Sequence, residues 1–294
     1  MYRIGIDLGG TKIEIIVLNA ANQLILRERI PTEREQGYAA ILRRVQAIYQ
    51  QALAKIDHAP HTLGIGIPGS LSAKTGLVRN ANTVCLNGKP LLQDLESLLG
   101  RTVAVENDAN CFTLAETLMG AAQGYQMVFG VIMGTGCGGG IAVNGQVHHG
   151  RQGIAGEWGH MQINPLGPQC YCGKRGCVET YISGGGLEQI YRERFGELLT
   201  VPEIVNAYRS GEARAGAVFT KFLEYFGIAL ANVIDLLDPD LVVLGGGLSN
   251  IEELYTLGRE EVRKQIFGDY LDTPIVPNRL GDSAGVFGAA MIGV

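Results

Sequence analysis

The sequence predicts an α/β protein of two related halves, each built on a mixed sheet, with a cleft between them. One ground is an internal repeat. Residues 3–30 read as a strand (Arg3–Asp7), a Gly-Gly-Thr turn, a second strand (Glu14–Leu18) and a third (Gln23–Ile30). The plan recurs as strand Met127–Met133, a glycine loop, strand Gly140–Val143, and then Asn144-Gly145. That dipeptide favours a tight hairpin, because both of its positions accept positive φ. A second ground is alternation: strands separated by helical periodicity imply crossovers and parallel pairing, whereas the two meanders are antiparallel, so the sheets are mixed. The third is glycine, at 42 of 294 residues about twice ordinary usage, and clustered after buried strands.

Each element has its own signal. Tyr38, Ile41, Leu42, Val45, Ile48, Tyr49 and Ala52 recur at helical spacing and predict an amphipathic helix. Leu63–Pro68 and Thr102–Glu106 read as short buried strands, each ending in polar residues. A late helix around Val218–Leu237 precedes a buried strand, Leu241–Leu244, which runs into three glycines. No Pro- or Ser-rich linker separates the halves, and the repeat places the boundary near residue 118.

Composition narrows the class. A hydrophobic fraction of 46% supports a sizeable core, and a net charge of −5 argues against binding a phosphate backbone. No apolar run is expected to reach the roughly 18–20 residues that cross a bilayer, and the N-terminus lacks the basic and apolar regions of a signal peptide. The expectation is a cytoplasmic protein with no nucleic-acid or membrane partner.

The cysteines fall into two groups. Cys85, Cys111 and Cys137 sit among apolar or glycine-rich neighbours and read as packing residues. Cys170, Cys172 and Cys177 form a tight C-x-C-x4-C trio. In a reducing compartment such a trio binds metal more readily than it forms disulfides. Three thiolates and one imidazole complete a tetrahedral zinc site, with His160 the nearest candidate. A closed site of this kind has no position for a catalytic water, so the zinc is structural.

Three glycine segments suggest anion binding, because glycine lets backbone amides approach a phosphate closely. They are Gly9, Gly10, Thr11 and Lys12 after Asp7; Gly134, Thr135, Gly136, Cys137, Gly138, Gly139 and Gly140 after Met133; and Gly245, Gly246 and Gly247. Singly, each is as well explained as a plain turn. Together they imply a nucleotide held between the lobes, with Asp7 suited to orient Mg²⁺ beside its phosphates. Phosphoryl transfer to a hydroxyl also needs a base. Asp108, at a strand end between Asn107 and Asn110, is the candidate, the alternative being that it caps the helix that follows.

These residues carry a resemblance. IGIDLGGTKIE, GIGIPG (Gly64–Gly69), NANTVCLNGKPL (Asn80–Leu91), ENDANC, MGTGCGGG, GEWGH, CYCGKRGCVE and LVVLGGG together resemble the ROK family of sugar kinases, in the actin-like, hexokinase-like ATPase superfamily. The likeness covers essentially the whole chain, and GEWGH with CYCGKRGCVE is its most specific part. Where this chain has Tyr171, the family's cysteine motif more often has glycine.

The resemblance implies an actin-like (ribonuclease H-like) ATPase fold of two lobes that close on a sugar. One spans 1–118, completed by a C-terminal helix at 281–294; the larger spans 119–280 and carries the zinc motif. It implies that the first two loops hold the ATP phosphates and that Gly245–Gly247 lie near the adenosine. Sugar hydroxyls would be met by Asn82, Asn107, Asp108, Glu157, His160 and Glu179, with His160 facing zinc through one ring nitrogen and the sugar through the other. The assembly implied is a homodimer.

The implied reaction is ATP-dependent phosphorylation of a hexose 6-hydroxyl, D-fructose first, then N-acetylglucosamine, then glucose or mannose. Trp158 in GEWGH supports fructose, either by narrowing the pocket against a 2-acetamido group or by resemblance alone if it packs in the core. A sugar-sensing regulator is the non-enzymatic alternative. The related repressors carry an added N-terminal DNA-binding domain, for which a first strand starting within three residues of Met1 leaves no room.

Overall fold

The computed structural model describes residues 1–293. In its first sheet, β1 (Tyr2–Leu8), β2 (Lys12–Leu18) and β3 (Leu24–Pro31) form an antiparallel meander. The helix α1 (Tyr38–Lys55) crosses to β4 (His61–Ile67), which pairs parallel with β1. A small ribbon of β5 (Ser70–Leu71) and β6 (Val78–Arg79), then α2 (Leu91–Leu99), lead to β7 (Ala104–Asn107), parallel to β4.

After α3 (Asp108–Met119) the plan repeats. The strands β8 (Met127–Met133), β9 (Cys137–Val143) and β10 (Gln146–Val147) form the second meander. Four helices follow: α4 (Glu179–Ile182), α5 (Gly184–Phe195), α6 (Val201–Arg209) and α7 (Ala213–Leu237). Then come β11 (Leu241–Gly245), α8 (Leu257–Gln265), β12 (Ile275–Pro277) and α9 (Ala284–Ile292). The sheet orders are β3-β2-β1-β4-β7 and β10-β9-β8-β11-β12, so the sequence repeat is a repeat of topology. The C-terminal helix expected to 294 ends at Ile292, and Val294 lies outside the described residues.

Burial explains the strand sequences. β2 is buried at every position after Lys12, all of them apolar except Glu14, because α1 covers one face of the sheet and α9 the other. β3, at the sheet edge, shows partial burial only at alternate positions. Asn144 and Gly145 take φ of 51° and 76°, the left-handed pair of a two-residue hairpin.

Two expectations need correction. The glycine loop placed at Gly134–Gly140 is shorter, because Cys137 to Gly140 already belong to β9 and pair with Met133 to Gly130. Further, α7 is long and apolar enough by composition to cross a bilayer, with 25 residues and a mean hydropathy of 1.4 over 18 of them. Its apolarity is spent on the core of the second sheet, where Phe219, Phe222, Phe226 and Leu230 are buried.

The two sheets face each other across a pair of helices. α3 leaves the first sheet but packs on β8 and β9 of the second; α9 leaves the second but packs on β1 and β4 of the first. Each lies on paired glycines. A Cβ at Gly5 or Gly64, neighbours in register, would run into Val286 O or Ala289 O of α9. A Cβ at Gly130 or Gly140, also paired, would run into Thr113 of α3. The helices meet where Gly288 abuts Cys111 O. Glu116 ties them further, accepting from the amides of Ala121 at 2.7 Å and Leu280 at 2.9 Å.

Because backbone cannot rotate away as a side chain can, Gly288→Ala should force α3 and α9 apart. The expected loss is about 3 kcal/mol, read as a lower urea midpoint at an unchanged m-value.

Candidate active site

The junction of β7 and α3 places the first functional group. Asn107 is extended (φ −66°, ψ 143°), and its side-chain oxygen accepts from the amides of Ala109 at 2.9 Å and Asn110 at 3.2 Å. It caps the helix. Its amide nitrogen donates to Gly69 O at 2.9 Å, fixing the side chain at both ends. Asp108, the other candidate cap, is instead the first helical residue, with one oxygen 2.9 Å from Ala109 N. Desolvation is the largest influence on its carboxyl and Glu157 adds repulsion, so despite the Ala109 amide its pKa is pushed up to about 6.

Asp7, at the end of β1, stands beside it in charge as well as in space. Burial, then repulsion from Asp108 and Glu14, raises its pKa to about 7 against the pull of Lys12 and Arg29. No hydrogen bond is among the influences on it, so this is a carboxylate short of partners, and a hard dication such as Mg²⁺ suits it. Glu14 behind it is fully buried but well paired, at 2.7 Å from Arg27, 2.9 Å from Arg29 and 2.9 Å from the Ser283 hydroxyl. Those three partners outweigh its desolvation and hold its pKa below the usual range. Sequence reasoning did not single out this cluster, because Glu14, Arg27, Arg29 and Ser283 are brought together only by the pairing of β2 with β3 and the approach of the C-terminal segment.

The glycine segments are held by their own contacts. Gly9 N donates to Lys12 O at 3.0 Å, and Thr32 pins the loop by donating to Gly9 O at 2.7 Å and Thr11 O at 2.9 Å. In the second loop Gly134 N donates to Gly136 O at 2.9 Å, while Cys137 N donates to Glu179 at 3.0 Å. Gly246 is left-handed (φ 78°) and packs on the backbone of Met133, so the third turn lies against the start of the second loop.

A cleft of about 300 Å³ gathers side chains from both halves. Asn82, Asn107 and Asp108 enter from the first, Glu157, His160 and Glu179 from the second, and Gly134 to Gly138 floor it. Asp7, Gly9 to Lys12, Gly139, Gly140 and Gly245 to Gly247 lie outside this lining. Gly139 and Gly140 answer to packing: a Cβ there would meet Trp158 or Ala109 O. A larger basin of about 580 Å³ between Asp238 and Tyr270 contains none of the residues expected to act.

The metal motif closes as the spacing implied. The ligand atoms of His160, Cys170, Cys172 and Cys177 all lie within 4.8 Å of one another. His160 Nδ1 is 3.6 Å from Cys170 Sγ, and Cys172 Sγ is 3.6 Å from Cys177 Sγ. A tetrahedron with zinc–sulfur bonds of about 2.3 Å has edges of about 3.8 Å, so these four could hold zinc. Cys111 and Cys137 are buried, as expected of packing residues, and Cys85 is partly so. One detail differs from the sequence reading and another decides between its alternatives. His160 Nε2 meets the hydroxyl of Tyr171 at 3.0 Å, a residue not foreseen in the cleft. Trp158 is buried, its indole donating to Gly138 O at 3.0 Å and its ring edge-on to Phe129, so it packs in the core and does not wall the cleft.

Residues 3–293 match the ROK family model. The chain is 39% identical over 300 residues to an N-acetyl-D-glucosamine kinase of Haemophilus influenzae (strain 86-028NP), covering 98% of each chain. Among solved structures it resembles a ROK hexokinase from Thermus thermophilus (TM-score 0.90, 33% identity, 100% of this chain and 98% of that one). It also resembles a ROK glucokinase from Streptomyces griseus in complex with glucose and AMPPNP (TM-score 0.82, 30% identity, 100% and 99%).

Raised carboxyl pKa values make a linkage prediction. Asp108 and Asp7 favour the folded state fully below the ordinary carboxyl pKa, and that stability is lost as pH rises through about 6 and about 7. Asp108→Asn should therefore raise the Tm of the unliganded protein at pH 8 by an amount equivalent to about 1–3 kcal/mol, with little gain at pH 4. Equal Tm changes at the two pH values would contradict the assigned burial.

Proposed function

Because the chain belongs to the ROK family, we propose that it is an ATP-dependent sugar kinase that phosphorylates the 6-hydroxyl of a hexose, N-acetyl-D-glucosamine first. The observation that carries the reading is Asp108: a desolvated carboxyl with a pKa of about 6, opening onto a cleft lined with polar side chains and a glycine loop. A base of that strength is ionised near neutral pH yet still takes a proton readily.

Asn82, Glu157, Glu179 and the His160 wall hold the ring hydroxyls and leave the primary hydroxyl facing Asp108. As that oxygen attacks the γ-phosphorus of ATP, its O–H bond breaks toward Asp108, the new O–P bond forms, and the bond to the β-phosphate oxygen breaks to release ADP. The loops at Gly9–Lys12 and Gly134–Gly138 hold the phosphates, Gly245–Gly247 flank the nucleoside, and Lys12 offsets phosphate charge. Mg²⁺, when bound near Asp7, supplies neutralisation of the triphosphate. Zinc at Cys170, Cys172, Cys177 and His160 has no chemical role and keeps Glu179 and His160 in place.

The likeness to the Haemophilus enzyme supports N-acetylglucosamine. The preference for fructose rested partly on Trp158, and with that indole buried it does not narrow the pocket, so its support is by resemblance alone.

A coupled ADP-release assay over N-acetylglucosamine, glucose, mannose and fructose tests the assignment. Absence of ADP release with every sugar would overturn the kinase reading; tenfold higher kcat/KM for fructose than for N-acetylglucosamine would replace the sugar alone. Asp108→Asn should lower kcat about 10²–10⁴-fold while sugar affinity stays within a few-fold. Metal analysis should find about one zinc per chain, and Cys172→Ala should lose it together with sugar affinity.

A further inference from the structure

His160 has two ring nitrogens and both are committed. Nδ1 faces Cys170 Sγ at 3.6 Å, and the backbone is fixed by Lys174 Nζ donating to His160 O at 2.6 Å. With a metal held by the three cysteines and Nδ1, the imidazole would carry its proton on Nε2. That N–H would donate to the hydroxyl of Tyr171, which lies 3.0 Å from Nε2, and the two rings meet edge to face at 5.1 Å and 87°. The tyrosine hydroxyl keeps its own proton for another acceptor, and it lines the same cleft as Glu157 and Glu179. Its side chain is otherwise 70% exposed, a large aromatic opening onto a polar cleft. Its neighbours on both sides, Cys170 and Cys172, belong to the four-residue cluster that could hold a metal.

We propose that Tyr171 is a specificity-determining residue of the sugar pocket: its hydroxyl, held by His160 Nε2–H, donates to the sugar, and its ring fills the space beside His160. The inference rests on the sugar-kinase reading. It assigns the sugar's contact at this wall to the tyrosine in place of the histidine. The hydroxyl contributes affinity, while the ring limits how large a substituent the non-reacting carbons carry. The 6-hydroxyl chemistry at Asp108 is untouched.

Two variants separate these contributions. Tyr171→Phe removes only the donor and should weaken calorimetric binding of glucose and N-acetylglucosamine about fivefold or more, with kcat at saturation within twofold of wild type. Tyr171→Gly removes the ring. It should shift the kcat/KM ratio between N-acetylglucosamine and glucose, which differ only at carbon 2, at least fivefold toward the bulkier sugar. Zinc content per chain should be unchanged in both. The proposal is overturned if both variants, fully metallated, bind and select within twofold of wild type. Zinc loss in Tyr171→Phe also overturns it, since the residue then serves the metal loop. A wild-type protein that phosphorylates no hexose would overturn the underlying function and this inference with it, whereas an active wild type with indifferent variants overturns the inference alone.

Discussion

Two helices sandwiched between two sheets can approach both only where the sheets present no Cβ. Gly5 and Gly64 provide that for α9, Gly130 and Gly140 provide it for α3, and Gly288 lets the helices touch each other. The rest of the molecule depends on this contact. α3 carries the end of the first sheet into the core of the second, and α9 makes the reverse crossing. The first residue of α3 is Asp108, so the group that faces the cleft is mounted on the element that joins the halves.

Charge at the site follows from that position. Asp108 and Asp7 are desolvated by the crowding of the junction and repel each other, so both are held less acidic than ordinary carboxyls. Glu14 is buried as deeply but sits among Arg27, Arg29 and Ser283, and is held more acidic. Burial alone does not decide the sign; the available donors do. Glu14 is thus the paired carboxylate, whereas Asp7 has charge repulsion and no hydrogen bond among the influences on it.

The metal loop works at the opposite wall. The side-chain donor atoms of His160, Cys170, Cys172 and Cys177 converge within 4.8 Å of one another from a segment with almost no regular structure. Both Glu179, which follows the last cysteine by two residues, and Glu157, which precedes the histidine by three, thereby become fixed points on the cleft.

What the sequence determined by itself was whatever depends on neighbours along the chain. The meanders, the Asn144-Gly145 hairpin, the periodicity of α1 and the Cys170/Cys172/Cys177 trio with His160 are local patterns, and the α/β class follows from their order. Tertiary structure decided what depends on residues far apart. The choice of Asn107 over Asp108 as cap turns on Gly69, 38 positions away. The glycines of β9 look like a phosphate loop in sequence, but two of them, Gly139 and Gly140, are required by Trp158 and α3. Trp158 turned inward because Gly138 O and Phe129 offered its indole a hydrogen bond and an edge. Tyr171 reaches the cleft because the turn between Cys170 and Cys172 folds back onto His160. Periodicity and spacing report which residues share a face; which face meets which partner is set by packing and desolvation, and those exist only once the chain has closed on itself.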